Sequence, residues 1–199
     1  MELVIDTATA CCSVALIDGG ALIDSRAERV GRGHAEHLLP MVEDLLGGRR
    51  PDAILVDCGP GSFTGIRVGL AAAHGLAIGW GIPLSGFSSM AALAAASGNG
   101  EMGIALLAGH GELFVQSFDN DPFAATDALQ SLSPDAAAAA IRAERVVGSG
   151  AEALVTARGY GRAEDALPLA ADARRLGPSL RGLPARPIYG RAPDAKPMP

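Results

Sequence analysis

Ala53-Ile54-Leu55-Val56-Asp57-Cys58-Gly59-Pro60-Gly61-Ser62-Phe63-Thr64-Gly65-Ile66-Arg67-Val68-Gly69-Leu70 is the stretch on which the reading of this chain turns. Residues 53–57 form a continuous apolar run closed by an acid, the pattern of a strand buried on both faces. The glycine-rich turn after it leads into a helix of small residues over about 65–78. A hydroxyl, Ser62 or Thr64, is placed to cap that helix by accepting from an N–H of its first turn. Free N–H groups and the helix dipole also make Gly59, Gly61, Ser62 and Thr64 a candidate anion or nucleotide loop. Gly65, Gly69, Ala73 and Ala77 recur at four-residue spacing, so they line one stripe with almost no side-chain bulk. Each Gly inside a helix costs roughly 1 kcal/mol relative to Ala. Two on one stripe point to a close backbone approach, either to a neighbouring element or to a second chain.

Upstream, short apolar runs at 3–6 and 13–17 and a loosely alternating segment at 21–28 are separated by turn residues, which predicts three antiparallel strands. Leu38, Met41, Val42, Leu45 and Leu46 then fall at helical spacing before Gly47-Gly48. Pro40 lacks an N–H and suits only a first turn, so the ordered helix is expected to begin close to it. Downstream, a short strand is expected at 82–84 and a helix at 88–96. Hairpins feeding a parallel crossover make this an α/β chain with a mixed sheet.

Ser97-Gly98-Asn99-Gly100 is the best boundary, dividing a lobe over 1–97 from a smaller one over 98–199. The second part suggests strands at 103–107, 113–118 and 145–147 and helices at 136–143 and 164–173. The Pro- and Arg-rich tail from Pro178 is expected to be extended and lightly packed.

The composition narrows the function. Of 199 residues, 49% are hydrophobic and 19% charged, which suits a globular core rather than disorder. A net charge of −6 disfavours nucleic-acid binding by this chain alone. Its sole lysine is Lys196, which excludes a lysine-bearing phosphate loop and an internal Schiff base. Cys11, Cys12 and Cys58 lie in apolar segments and are odd in number, as expected of reduced, buried thiols. The chain opens directly on a strand and its longest apolar stretch, 68–82, is interrupted by His74 and glycines. The expectation is a cytoplasmic protein with no membrane contact.

His34 and His37 share a helix face, yet a metal site needs a further ligand and H-E-x-x-H is absent. His74 lies within the small-residue helix as a packing or interface residue, and His110 sits in a glycine-flanked turn without an evident role. Ser62 is not central in a G-x-S-x-G elbow, so no nucleophile is assigned.

The segment 56–70 closely resembles the signature of the TsaB (YeaZ) family. Ile5-Asp6-Thr7-Ala8-Thr9 with Ser13-Val14-Ala15-Leu16 is similar to that family's first hairpin, and His34-Ala35-Glu36-His37-Leu38-Leu39-Pro40 to its first helix. Pro187-Ile188-Tyr189 with Arg191-Ala192-Pro193-Asp194-Ala195-Lys196 is similar to its C-terminal motif. The resemblance implies an actin/Hsp70/sugar-kinase-like (ASKHA) fold of two related lobes. It also implies a non-catalytic partner subunit for TsaD, working with the ATPase TsaE to make N6-threonylcarbamoyladenosine in tRNAs that read ANN codons. A homodimer is expected when TsaD is absent, and tRNA is met only through the complex.

On this resemblance the partner interface comprises Gly65, Ile66, Arg67, Gly69, Leu70 and Ala73 of the small-residue helix with His37 and Met41 of the first. A bulky residue at Gly69 should then abolish the TsaD complex and leave the monomer folded. TsaD-type chains hold a metal with two histidines after their glycine-rich helix. Ser89 and Leu93 stand at those places here, so no catalytic residue, metal or cofactor is expected. The second-lobe segment Ala108-Gly109-His110-Gly111-Glu112-Leu113-Phe114 departs from the family's D-A-R-x-x-E-V-Y, keeping only Glu112 and an aromatic.

Three rivals stay open at this level. A small-molecule kinase or nucleotide-binding protein of the same superfold would use Asp6 and the 59–65 loop, against which Cys11-Cys12 and the missing Lys argue. A metal-dependent peptidase-like protein would hold a stoichiometric metal. A homodimeric scaffold would assemble without TsaD.

Overall fold

The computed structural model describes residues 1–121 and 123–190. The first sheet is built from β1 (Glu2–Asp6), β2 (Cys11–Asp18), β3 (Ala21–Arg29), β4 (Ala53–Asp57) and β5 (Leu84–Phe87). Its order is β3-β2-β1-β4-β5, with β1–β3 antiparallel and β1, β4 and β5 parallel. Side chains alternate across it as period two requires. Leu3 and Ile5 join the core under α1 (His34–Leu46) and α2 (Phe63–Trp80). Val4 belongs to the core shared with α3 (Ser89–Ala96) on the other face.

That second core runs on into the second sheet through Met102, Ile104, Leu106, Phe114 and Phe118, so the two lobes share apolar packing. The second sheet is ordered β11-β10-β6-β7-β8 from β6 (Met102–Gly109), β7 (Glu112–Asn120), β8 (Phe123–Ala125), β10 (Arg145–Val147) and β11 (Arg162–Glu164). Strand β9 (Gln130–Leu132) pairs with β7. Its far face is covered by α4 (Pro134–Ala140) and α5 (Ala151–Arg158), with Ala137, Ile141 and Leu154 in a third core. The result is a mixed-sheet α/β architecture built on two sheets, the fold class expected from the sequence.

Several expectations change. The first helix begins at His34 and carries Pro40 inside it. The ring lies on the exposed face, and the apolar stripe Leu38, Val42, Leu45 and Leu46 holds the helix to the sheet on both sides of it. No helix forms over 164–173. Instead β11 ends at Glu164, where Arg145 holds its carboxylate at 2.8 Å, and a 3-10 segment covers Ala170–Arg175. That segment is fastened to the first lobe by Ala170 N–H donating to Ser13 Oγ (2.9 Å) and Arg175 donating to the Ala96 carbonyl.

The tail is a strap rather than a loosely packed end. Leu183 bridges Gly86, Ile188 N–H donates to the Cys58 carbonyl at 2.7 Å, and Arg181 pairs with Glu2. The motif residues Arg191, Ala192, Pro193, Asp194, Ala195 and Lys196 lie outside the described residues.

Candidate functional site

The turn between β4 and α2 is tied tightly to its neighbours. Gly59, at φ +99°, donates to Asp57 Oδ1 (2.7 Å), and its Cα lies under Ile66 and the Ile188 carbonyl, where a Cβ would collide. Ser62 caps α2, its Oγ accepting from Gly65 N–H at 3.2 Å, while its own N–H donates to the Ala8 carbonyl. The N–H groups of Gly59 and Ser62, two of the four candidate anion-loop residues, are therefore committed within the chain, as is that of Gly65. Gly61 and Ser62 line the interlobe cleft; Thr64 is exposed at the first turn of α2.

The small-residue stripe points inward. A Cβ on Gly65 would sit 2.1 Å from the Thr7 carbonyl oxygen, and one on Gly69 would sit 2.4 Å from Thr7 Oγ1. Thr7 Oγ1 donates to the Gly65 carbonyl at 2.7 Å. Gly65, Ile66, Gly69, Leu70 and Ala73 are buried within their own lobe, so the expectation that these five face a partner is corrected. The bareness lets α2 lie directly on the loop after β1. A bulky Gly69 would break the lobe rather than spare the monomer.

A different stripe on the opposite side of α2 is open to solvent: Ala71, Gly75 and Gly79, again four residues apart. A Cβ at Gly75 or Gly79 would meet nothing within 4 Å. Beside it Ile78 is 81% exposed, and on neighbouring α1 Leu39 is 52% exposed with Met41 half-buried. His37 stays on the surface and meets Glu28 at 3.2 Å; His34 is buried with Nε2 against the Thr9 carbonyl. The local signal was the same spacing, with Arg67 and His74 on its flanks rather than Ile66 and Leu70.

Arg67 is exposed and held in a small cluster. Its guanidinium carbon lies 3.5 Å over the Phe63 ring, and Nε and Nη2 donate to Tyr189 Oη at 3.2 and 3.1 Å. Phe63 and Tyr189 stand at the mouth of an interlobe cleft of about 1170 Å³ walled also by Ala8, Leu106, His110 and Ser149. His110 takes the left-handed conformation at φ +53° in the β6–β7 turn. Of the divergent second-lobe segment, Glu112 accepts from Ser131 Oγ (2.7 Å) and Phe114 is buried in the shared core. Sequence reading found neither the cluster nor the cleft, since both join residues more than a hundred positions apart.

Below the turn, Asp6 and Asp57 are fully buried at adjacent strand ends. Burial, and then the charge of Asp57, hold Asp6 well above the usual carboxylate range; burial raises Asp57 to about 6. Ser89 donates to Asp57 and Leu93 lies in the core. Among the described residues, no three His, Cys, Asp or Glu side chains are grouped to hold a metal ion. Burial pushes the Cys12 and Cys58 thiols up to about 12 and 11, so neither is a thiolate nucleophile at neutral pH. No helix among the described residues is long and apolar enough to cross a membrane.

The solved structure of YeaZ from Pseudomonas aeruginosa superposes with a TM-score of 0.80 at 31% identity, covering 94% of this chain and 98% of that one. The chain belongs to the TsaB (YeaZ) family. The family model for TsaD, tRNA N6-adenosine threonylcarbamoyltransferase, matches residues 26–150. The tRNA threonylcarbamoyladenosine biosynthesis protein TsaB of Escherichia coli is 43% identical over 97 residues, which are 46% of this chain and 42% of that protein. The match thus spans less than half the length of that TsaB. An uncharacterized protein of Mycobacterium tuberculosis is 31% identical over 98% of this chain and 94% of its own length.

Proposed function

We propose that this chain is a non-catalytic subunit in the making of N6-threonylcarbamoyladenosine in tRNA, docking on TsaD and activating it together with TsaE. The name carried by its relatives supports the pathway. The observation that carries the docking is the outer side of α2, where Ala71, Gly75 and Gly79 leave the helix backbone bare beside exposed Ile78, with Leu39 exposed on α1. Small residues let a second helix approach closely, and a contiguous apolar patch favours being covered. His37 and Arg67 are exposed and Met41 is half-buried on these two helices, and the proposal keeps all three at the interface. In the absence of TsaD, the same face joins two copies of this chain.

The non-catalytic reading is supported at Ser89 and Leu93. Ser89 spends its hydroxyl on Asp57, and Leu93 fills the core, at the places where the resemblance puts metal-holding histidines in TsaD-type chains. The net charge of −6 supports a subunit that meets tRNA only through the assembly, and the three buried free thiols suit the cytoplasm. Reconstituting threonylcarbamoyl transfer with TsaD and TsaE, with this chain present or omitted, tests the role; equal rates reject it. The match to the TsaD family model favours one rival, a transferase in its own right, which transfer by this chain without TsaD would establish.

A further inference from the structure

Two carboxyl groups are buried side by side in the first lobe, and among the described residues no cation is paired to either. The parallel register sets Ile5 beside Val56, which brings Asp6 and Asp57 side by side at the ends of β1 and β4. Asp57 Oδ1 accepts from Gly59 N–H at 2.7 Å, and the Ser89 hydroxyl lies 2.8 and 2.7 Å from its two oxygens. Asp6 Oδ1 accepts from Ala8 N–H at 2.9 Å. Asp6 Oδ2 is buried with no donor aimed at it among the described residues. The register sets Asp57 next to it with both side chains buried, and two carboxyl groups can share a hydrogen bond only where one carries a proton.

The surroundings add no positive charge that would neutralise the pair. From β2 the neighbours are Cys11 and Cys12, whose thiols burial keeps neutral. The 3-10 segment contributes Asp172, a third acid, itself raised by burial and offset by Arg174 and Arg175. From α3 comes only the Ser89 hydroxyl, and Cys58 after β4 is neutral. Arg29 and Glu28 of β3 act on the cysteines rather than on the carboxyls. Burying two like charges together in a medium of low dielectric is too unfavourable for both to ionise.

The pair is wired to the surface. Asp6 fixes Ala8, whose carbonyl accepts from Ser62 N–H (2.6 Å), and Asp57 fixes Gly59, whose carbonyl accepts from Ser89 N–H (3.0 Å). Ala8 and Ser62 are themselves walls of the interlobe cleft. We propose that Asp6 and Asp57 hold a single proton between them at neutral pH, and that this proton latches the β1–β2 loop to the β4–α2 turn in a lock that opens as pH rises. Asp6 is the donor and Asp57 the acceptor, because Asp57 already receives the Gly59 and Ser89 donors that favour its charged form.

The direction follows from linkage. Both groups are raised in the folded chain, so the contribution is complete below the unfolded carboxylate range near about 4 and is lost as pH rises through the folded values. For Asp57 that loss runs from about 4 to about 6, and for Asp6 it extends well above the ordinary carboxylate range.

Asp6→Asn supplies an amide donor to Asp57 that no pH removes. Between about pH 5 and pH 9 the unaltered chain should lose roughly 5 °C or more of melting temperature beyond any loss in Asp6→Asn. Parallel curves for the two would overturn the proposal. Infrared spectra of the unaltered chain do not depend on that variant folding: a protonated-carboxyl stretch should persist at pH 7 and disappear in alkali. Its absence at pH 7 overturns the shared proton. Amide exchange at Ala8 and Gly59 should accelerate above neutrality relative to amides of β6, and uniform acceleration would reject the latch. A rise in melting temperature with added magnesium in the unaltered chain but not in Asp6→Asn would overturn it in favour of a shared cation.

Discussion

Helix α2 carries two bare stripes on opposite sides, and they have opposite fates. Gly65 and Gly69 lie against Thr7, and Gly69 also against Ile5, with no room for a methyl group, and Ala73 and Ala77 continue the buried stripe. Ala71, Gly75 and Gly79 repeat the same spacing and face open space. The inner stripe lets the helix backbone rest on the loop after β1, so its small residues are requirements of the fold. Nothing in the fold asks for glycine at 75 or 79, where the helix interior would be better served by alanine. Glycine kept at a position that does not need it is what makes the outer stripe the better docking candidate.

The sharpest way to break this comparison is Gly69→Leu. Its side chain would be driven into Thr7 and Ile5, with an expected loss of about 3 kcal/mol or more in thermal or denaturant unfolding. A stable Gly69→Leu would return the inner stripe to the surface. Gly65→Ala adds only one methyl, yet that methyl meets a backbone carbonyl, so a loss of roughly 2 kcal/mol is expected. On the outer stripe, Gly75→Trp should leave the melting temperature within a few degrees and weaken TsaD binding by about tenfold or more, roughly 1.4 kcal/mol, in calorimetry. Unchanged affinity would remove the α1–α2 face as the docking surface. Gly75→Ala should stabilise the isolated chain by about 0.5 to 1 kcal/mol, opposite in sign to Gly65→Ala. The smallest effect is expected for Tyr189→Phe, which takes the acceptor from exposed Arg67 and should cost less than about 1 kcal/mol in the same unfolding measurement.

Where the signal was local, the elements came out close to their expected places. The strand at 53–57 and the end of α1 follow from apolar spacing and from Gly47, which takes the left-handed conformation that closes that helix. Pro40 misled because its missing N–H argues about one turn, whereas four buried side chains decide the helix as a whole. The helix expected over 164–173 failed for the converse reason. Its Ala- and Leu-rich composition suits a helix, but Arg162–Glu164 gains a sheet partner in β10 and Ala170 is drawn onto Ser13 of the first lobe. The tail likewise looked unattached until its bonds to Gly86 and Cys58 appeared, since both partners lie about a hundred residues upstream.

What the chain determines residue by residue is periodicity, capping and the four-residue repeat on α2, because each depends on neighbours within one or two turns. From those features alone came the mixed α/β class, a hydroxyl cap on α2 at Ser62 or Thr64 and the fact that α2 has a bare side. Which bare side turns inward depends on the rotation of the helix about its own axis, and only contact with Thr7 and Ile5 sets that angle. The pairing of Asp6 with Asp57 is of the same kind: each is an ordinary acid at a strand end until the β1–β4 register, formed across some fifty residues, puts them in one dry place.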